Sequence, residues 1–208
     1  MKRTLLIATA AFLLASCATN STYPALTSCL QEKQIVMFGA SWCPHCADQK
    51  NLFGRSVKDM PYFECSKGGT QVEECNIRGI TSYPTWQFQE ATLKALPETA
   101  IISLYDGELA KVRASLEGIQ KTLTADDAAA KKILDEFTVK LESDVNSDIP
   151  TFDKLKKLTA ITVGADGKAT EMPMYVSGRI GGVRPVSEIA LYAGCSAEYQ
   201  ADTTAQTK

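Results

Sequence analysis

The sequence predicts an α/β fold carrying a large, mainly helical insertion before its last strand and helix. Three observations carry the prediction. The apolar run Ile35-Val36-Met37-Phe38, bounded by Gly39, has the length and composition of a buried strand. Segments with helical and strand patterns alternate from Ala25 to Phe88. A closing strand, turn and helix then appear only at about Met174 to Tyr192, which leaves 91–172 as the insertion.

In order, a short amphipathic helix is expected over Ala25–Lys33, then the strand at 35–38 and a helix from Pro44 to about Ser56. Pro44 suits a first helical position, since its missing N–H is one of the groups a helix start leaves unpaired. Pro61 to Cys65 is the next strand, Thr70 to Arg78 a helix stopped by Gly79, and Ile80 to Phe88 a strand interrupted by Pro84. Within the insertion, Leu109, Val112, Leu116, Ile119 and Leu123 form one apolar stripe, and Ile133, Leu134, Phe137, Leu141 and Val145 another. Thr124 and Asp127 are spaced like a capping box between them, which predicts two helices packed face to face. Asp166-Gly167 supplies a hairpin turn before Tyr175-Ile180 and the helix at Ser187–Tyr192. The small, polar stretch 197–208 is expected to be a flexible tail.

The chemistry concentrates in Trp42-Cys43-Pro44-His45-Cys46. Cys43 falls at the cap and Cys46 one turn in, so their sulfurs share a face and can bond to each other. Unpaired N–H groups and the positive end of the helix favour a thiolate at Cys43, and the thiolate is the form that attacks a disulfide. Cys46 is then the resolving thiol. His45 is placed to add a hydrogen bond or charge, Trp42 to shield the pair and offer apolar surface to a substrate. Stabilising the thiolate stabilises the reduced pair and makes its disulfide the stronger oxidant.

Strand, Trp-Cys-x-x-Cys, helix and the later Tyr83-Pro84-Thr85 resemble a thioredoxin-fold thiol–disulfide oxidoreductase. Pro44-His45 is similar to the DsbA-type oxidases. The segments Met37–Gly54, Pro61–Cys65 and Gly79–Trp86, with a weaker echo in Val186–Cys195, resemble the thioredoxin-like domain fused to bacterial homologues of vitamin K epoxide reductase. That resemblance implies a thioredoxin-like domain over 25–90 and 173–196. It implies a cis Pro84 facing the cysteines, with the Tyr83 backbone as substrate-binding edge, and a structural disulfide between Cys65 and Cys75. It also implies an acid six residues before the first cysteine; here that position holds Met37.

With 22 basic against 24 acidic residues and a net charge of −2, the chain offers no case for binding nucleic acid. Lys2-Arg3 followed by the apolar Leu5 to Leu14 has the pattern of a signal peptide over 1–16. Leu14-Ala15-Ser16-Cys17 resembles the lipobox of bacterial lipoproteins, which implies a lipid on Cys17 and a tether over 17–24. The alternative is an ordinary secretory signal cut near Ala15. Either puts the body in an oxidising compartment, the cell envelope, with the outer membrane favoured by Ala18. Once Cys17, the active pair and Cys65–Cys75 are set aside, Cys29 and Cys195 remain as a second disulfide by elimination. A four-cysteine zinc site is disfavoured by the nine residues between Cys65 and Cys75, and neither metal nor cofactor is expected.

The expected activity is a membrane-tethered oxidase of exported cysteine-containing proteins, reoxidised by a membrane partner resembling the vitamin K epoxide reductase homologues. Two alternatives stay open: a reductase or isomerase on the same fold, and a non-catalytic binding lipoprotein.

Overall fold

The computed structural model describes residues 22–124, 127–164 and 168–207. The expected signal peptide, the lipidation site Cys17, most of the tether and the Asp166-Gly167 turn lie outside these residues. The chain is a mixed α/β protein. Its main sheet has the order β2 (Tyr62–Glu64), β1 (Val36–Gly39), β5 (Thr85–Gln87), β9 (Arg179–Gly181), β8 (Tyr175–Val176). Strands β1 and β2 run parallel, and β1–β5, β5–β9 and β9–β8 are antiparallel.

Around the sheet lie α1 (Pro24–Glu32), α2 (Pro44–Leu52), α3 (Glu73–Ile77) and α8 (Val186–Ala193). One face carries an aromatic ladder: Phe53 stacks on Trp86, Trp86 on Phe88, and the edge of Phe88 meets Tyr192. Met37, Leu26, Leu30 and Ile189 fill in around it, all fully buried. The other face carries a smaller cluster of Phe38, Ile80 and the Cys65–Cys75 disulfide. Removing this much apolar surface from water is the main force holding sheet and helices together.

Two elements differ from expectation for local reasons. The helix begun at Pro44 stops at Leu52, because Gly54 takes a left-handed conformation and Gly54–Lys58 continues as a 3-10 turn. The helix expected from Thr70 is cut to α3, because Ser66–Lys67 (β3) and Thr70–Gln71 (β4) pair as a hairpin. Its turn is Gly68-Gly69, both at positive φ, the conformation a two-residue hairpin loop requires.

The insertion contains α4 (Glu90–Lys94), α5 (Glu98–Thr122), α6 (Ala128–Val145), α7 (Thr151–Lys157) and the hairpin β6 (Thr159–Val163)–β7 (Ala169–Pro173). Helix α5 starts well before its predicted stripe and buries Ile101, Leu104, Tyr105 and Glu108 as well as Leu109, Val112 and Leu116. It packs chiefly against α7 and β6 rather than face to face with α6. Arg113 and Glu142, 2.9 Å apart, tie α5 to α6. The Asp127 carboxylate accepts from the N–H and hydroxyl of Thr124, so the capping pair forms, but the helix itself begins at Ala128.

The expected flexible tail over 197–208 is not what the structure shows. Ser196–Gln206 forms helix α9 against α1. Tyr199 stacks on Tyr23 at 5.8 Å, and the buried Asp202 carboxylate accepts from the N–H groups of Ala25 and Leu26 at 3.2 and 2.9 Å. Helix α1 has no side-chain cap of its own, so an acid 176 residues away satisfies its first turn. The Cys29–Cys195 disulfide joins the same two helices.

Candidate active site

The site lies where β1 hands over to α2. Cys43 is the N-cap, with extended backbone, and Pro44 opens the helix. The Cys43 carbonyl accepts from the N–H groups of Cys46 and Ala47, closing the first turn. Both cysteines are free thiols, Cys43 6% exposed and Cys46 1%. Burial, with the neighbouring Cys43 sulfur as a further cause, pushes the Cys46 thiol up to about 11, against the pull of the Ala40 backbone and Lys50. At neutral pH Cys46 therefore keeps its proton.

The Tyr83–Pro84 bond is cis. The Cys43 thiol points to the Tyr83 carbonyl oxygen at 3.7 Å, so the backbone before Pro84 faces the outer sulfur. Trp42 is 63% exposed and donates from Nε1 to Ser66 Oγ at 2.8 Å. Its ring meets that of Tyr83 edge-on, and the Tyr83 hydroxyl is tied to Gln71. His45 projects to solvent, its Nδ1 3.7 Å from the Asp48 carboxylate.

Beneath the pair the sheet comes unusually close. A Cβ on Gly39 would stand 2.8 Å from Cys46 Sγ and 2.9 Å from the Tyr62 ring, so only glycine fits between them. Met37 is fully buried in the core. The predictions did not include Tyr62 and Glu64, although a tyrosine and an acid at alternating strand positions mark a shared polar face. Gln49, also unforeseen, is buried on α2 between the Trp86 indole and the backbone of Arg184.

The Cys65–Cys75 and Cys29–Cys195 disulfides each brace secondary structure. Among the described residues, Cys29, Cys195 and Glu198 have a spacing that suits a metal, but their two sulfurs are bonded to each other and offer no thiolate. No described helix is long and apolar enough to cross a membrane.

No family model matches the chain. A thiol-disulfide oxidoreductase of Arabidopsis thaliana, LTO1, is 34% identical to it over 97 residues, which cover 43% of this chain and 26% of that protein. The chain thus spans about a quarter of the length of this curated relative. Similarity to a thiol–disulfide oxidoreductase, together with a free dithiol on the first turn of a helix, supports a redox function.

Proposed function

We propose that the chain is a thioredoxin-fold oxidase of exported protein thiols, working through Cys43 and Cys46. The sheet order, with β1 between its parallel neighbour β2 and the antiparallel β5, and β9 antiparallel to β5, supports the thioredoxin assignment. The observation that carries the activity is the placement of Cys43 at the α2 N-terminus, with the Tyr83 carbonyl 3.7 Å away and Cys46 one turn beneath.

In the oxidised enzyme a substrate thiolate attacks Cys43 Sγ. The Cys43–Cys46 bond breaks, and Cys46 leaves as a thiolate that takes up a proton. A second substrate thiolate then attacks the substrate sulfur of the mixed disulfide and expels the Cys43 thiolate. Two electrons move from the substrate dithiol to the enzyme pair. The extended substrate segment lies along the Tyr83 backbone, bordered by Trp42. The oxidising direction rests on Pro44-His45 and the helix terminus. Since the His45 imidazole turns toward Asp48, the terminus is the stronger support. A lipid on Cys17 would tether the body in the cell envelope, and a membrane partner resembling vitamin K epoxide reductase homologues would take the two electrons onward.

Oxidation of a model dithiol peptide and reduction of insulin, each run with the protein and with Cys43→Ser, test the reading. Both activities should vanish in the variant; activity that survives Cys43→Ser removes the enzyme assignment. A measured reduction potential fixes the direction.

A further inference from the structure

Cys46 must gain a proton each time it leaves a disulfide and lose one each time it attacks, yet it is 1% exposed. The residues of β1 beneath it are Met37 and Gly39, which carry no proton. The parallel neighbour β2 does. Residues in register across a sheet share a face, and the register pairs Met37 with Tyr62 and Gly39 with Glu64.

Tyr62 and Cys46 both approach the point above Gly39. The point where a Cβ of Gly39 would stand lies 2.8 Å from Cys46 Sγ and 3.4 Å from the Tyr62 hydroxyl. That hydroxyl donates to Glu64 Oε2 at 2.7 Å. Glu64 Oε1 accepts the N–H groups of Ser41 and Ser66 at 3.0 and 3.1 Å, which fixes the carboxylate at the half-buried edge of the sheet. Lys50, one turn after Cys46 on α2, places its ammonium 3.4 Å over the Tyr62 ring. The other titratable groups facing this cluster are Cys43 and Tyr83.

We propose that the Tyr62 hydroxyl and the Glu64 carboxylate form the route by which Cys46 exchanges its proton with solvent. The proposal rests on the redox reading above. In the resolving step, Cys46 gives its proton through one bridging water to the Tyr62 oxygen as Tyr62 passes its own to Glu64, which releases it to solvent. The Cys46 thiolate attacks Cys43 Sγ, the Cys43–Cys46 bond forms, and the substrate sulfur leaves as a thiolate. When Cys46 is instead the leaving group, the proton runs inward along the same path. The charges agree with these roles. Burial and the bond to Glu64 push the Tyr62 phenol up, so it stays protonated between transfers. Burial works against the Glu64 carboxylate but is outweighed by the Tyr62, Ser41 and Ser66 bonds and by Lys50, so its affinity for protons is lowered and it sheds them readily.

Tyr62→Phe tests the route, because it keeps the ring under Lys50 and removes only the hydroxyl. Reduced protein is mixed with glutathione disulfide, quenched with acid, and followed by mass for two steps: the Cys43–glutathione mixed disulfide, then its resolution by Cys46. Resolution should slow about 10- to 100-fold near neutral pH, the range of a lost acid–base group. It should recover as pH approaches about 11, where Cys46 ionises unaided. The first step should stay within about twofold, since it does not move the Cys46 proton. Glu64→Gln, which keeps one acceptor oxygen in place but takes no proton, should show the same selective loss. Resolution at the native rate in both variants overturns the proposal, and so does an equal slowing of both steps, the mark of a merely displaced loop. If the unaltered protein forms no mixed disulfide, the redox reading itself fails and the route falls with it.

Discussion

Gln49 and Arg184 exchange two hydrogen bonds: Gln49 Nε2 donates to the Arg184 carbonyl at 3.0 Å, and the Arg184 N–H donates to Gln49 Oε1 at 2.7 Å. Gln49 belongs to the redox helix α2. The guanidinium of the same arginine is ion-paired with Glu108 of α5, and both side chains are buried. One residue thus joins α2 by its backbone and the insertion by its side chain.

Glu108→Ala would leave Arg184 buried with only Glu188, 3.6 Å away and partly exposed, as a counter-charge. Breaking a buried pair from one side costs about 3–5 kcal/mol. Urea unfolding should show a loss of that size, with early proteolysis in 91–172. A native midpoint would mean that the insertion docks without the pair.

Gly39→Ala should be damaging out of proportion to one methyl group. Its Cβ would fall at 2.8 Å from Cys46 Sγ, with the Tyr62 ring and α2 both in the way. Overpacking of this kind costs about 1–3 kcal/mol, and moving Cys46 should also slow disulfide exchange. The two are measured together by thermal melting and insulin reduction; a fully active, unshifted variant would show that α2 can lift away freely.

The stability of the reduced protein should fall further in alkali than that of the oxidised protein, which lacks the Cys46 thiol but shares the buried tyrosines. Cys46 is raised from 9.0 to about 11, with burial the first cause, so the folded state holds its proton more tightly than the unfolded chain. That contribution is complete below the unfolded value and disappears as pH rises through the folded one. Urea midpoints of the two redox forms should therefore diverge between 9.0 and about 11. Parallel curves would place Cys46 in water.

Much of this site is legible from residue order, because a proline after a cysteine at a strand end marks both the helix start and the sulfur that caps it. The α9 helix was not legible: Ser196 to Gln206 is small and polar, and it is held by Tyr199 on Tyr23 and Asp202 on α1 rather than by any stripe of its own. Glu108 left a signal, an acid set inside the apolar face of α5, but its partner Arg184 lies in a loop that no periodicity marks. Tyr62 and Glu64 escaped because the carbonyl-to-amide register that puts them under Cys46 belongs to the sheet and not to the linear chain.

Asp202→Ala removes the acceptors for two N–H groups at the start of α1. By the usual worth of such a cap the loss should be about 1 kcal/mol. The variant should still form the Cys29–Cys195 bond, and its urea midpoint should drop without a change in redox rate. A change in rate would mean that α1 bears on the active site.

Synthesis and closure run in opposite directions here. Residues 24–32 leave the ribosome early, but the carboxylate and the sulfur that finish α1 come from 202 and 195. Until Cys195 and Tyr199 have been made, Cys29 stays unmated and Tyr23 lacks its stacking partner. A nascent chain halted before Cys195 should therefore keep Cys29 open to thiol reagents, and thiol labelling of such a stalled chain checks it.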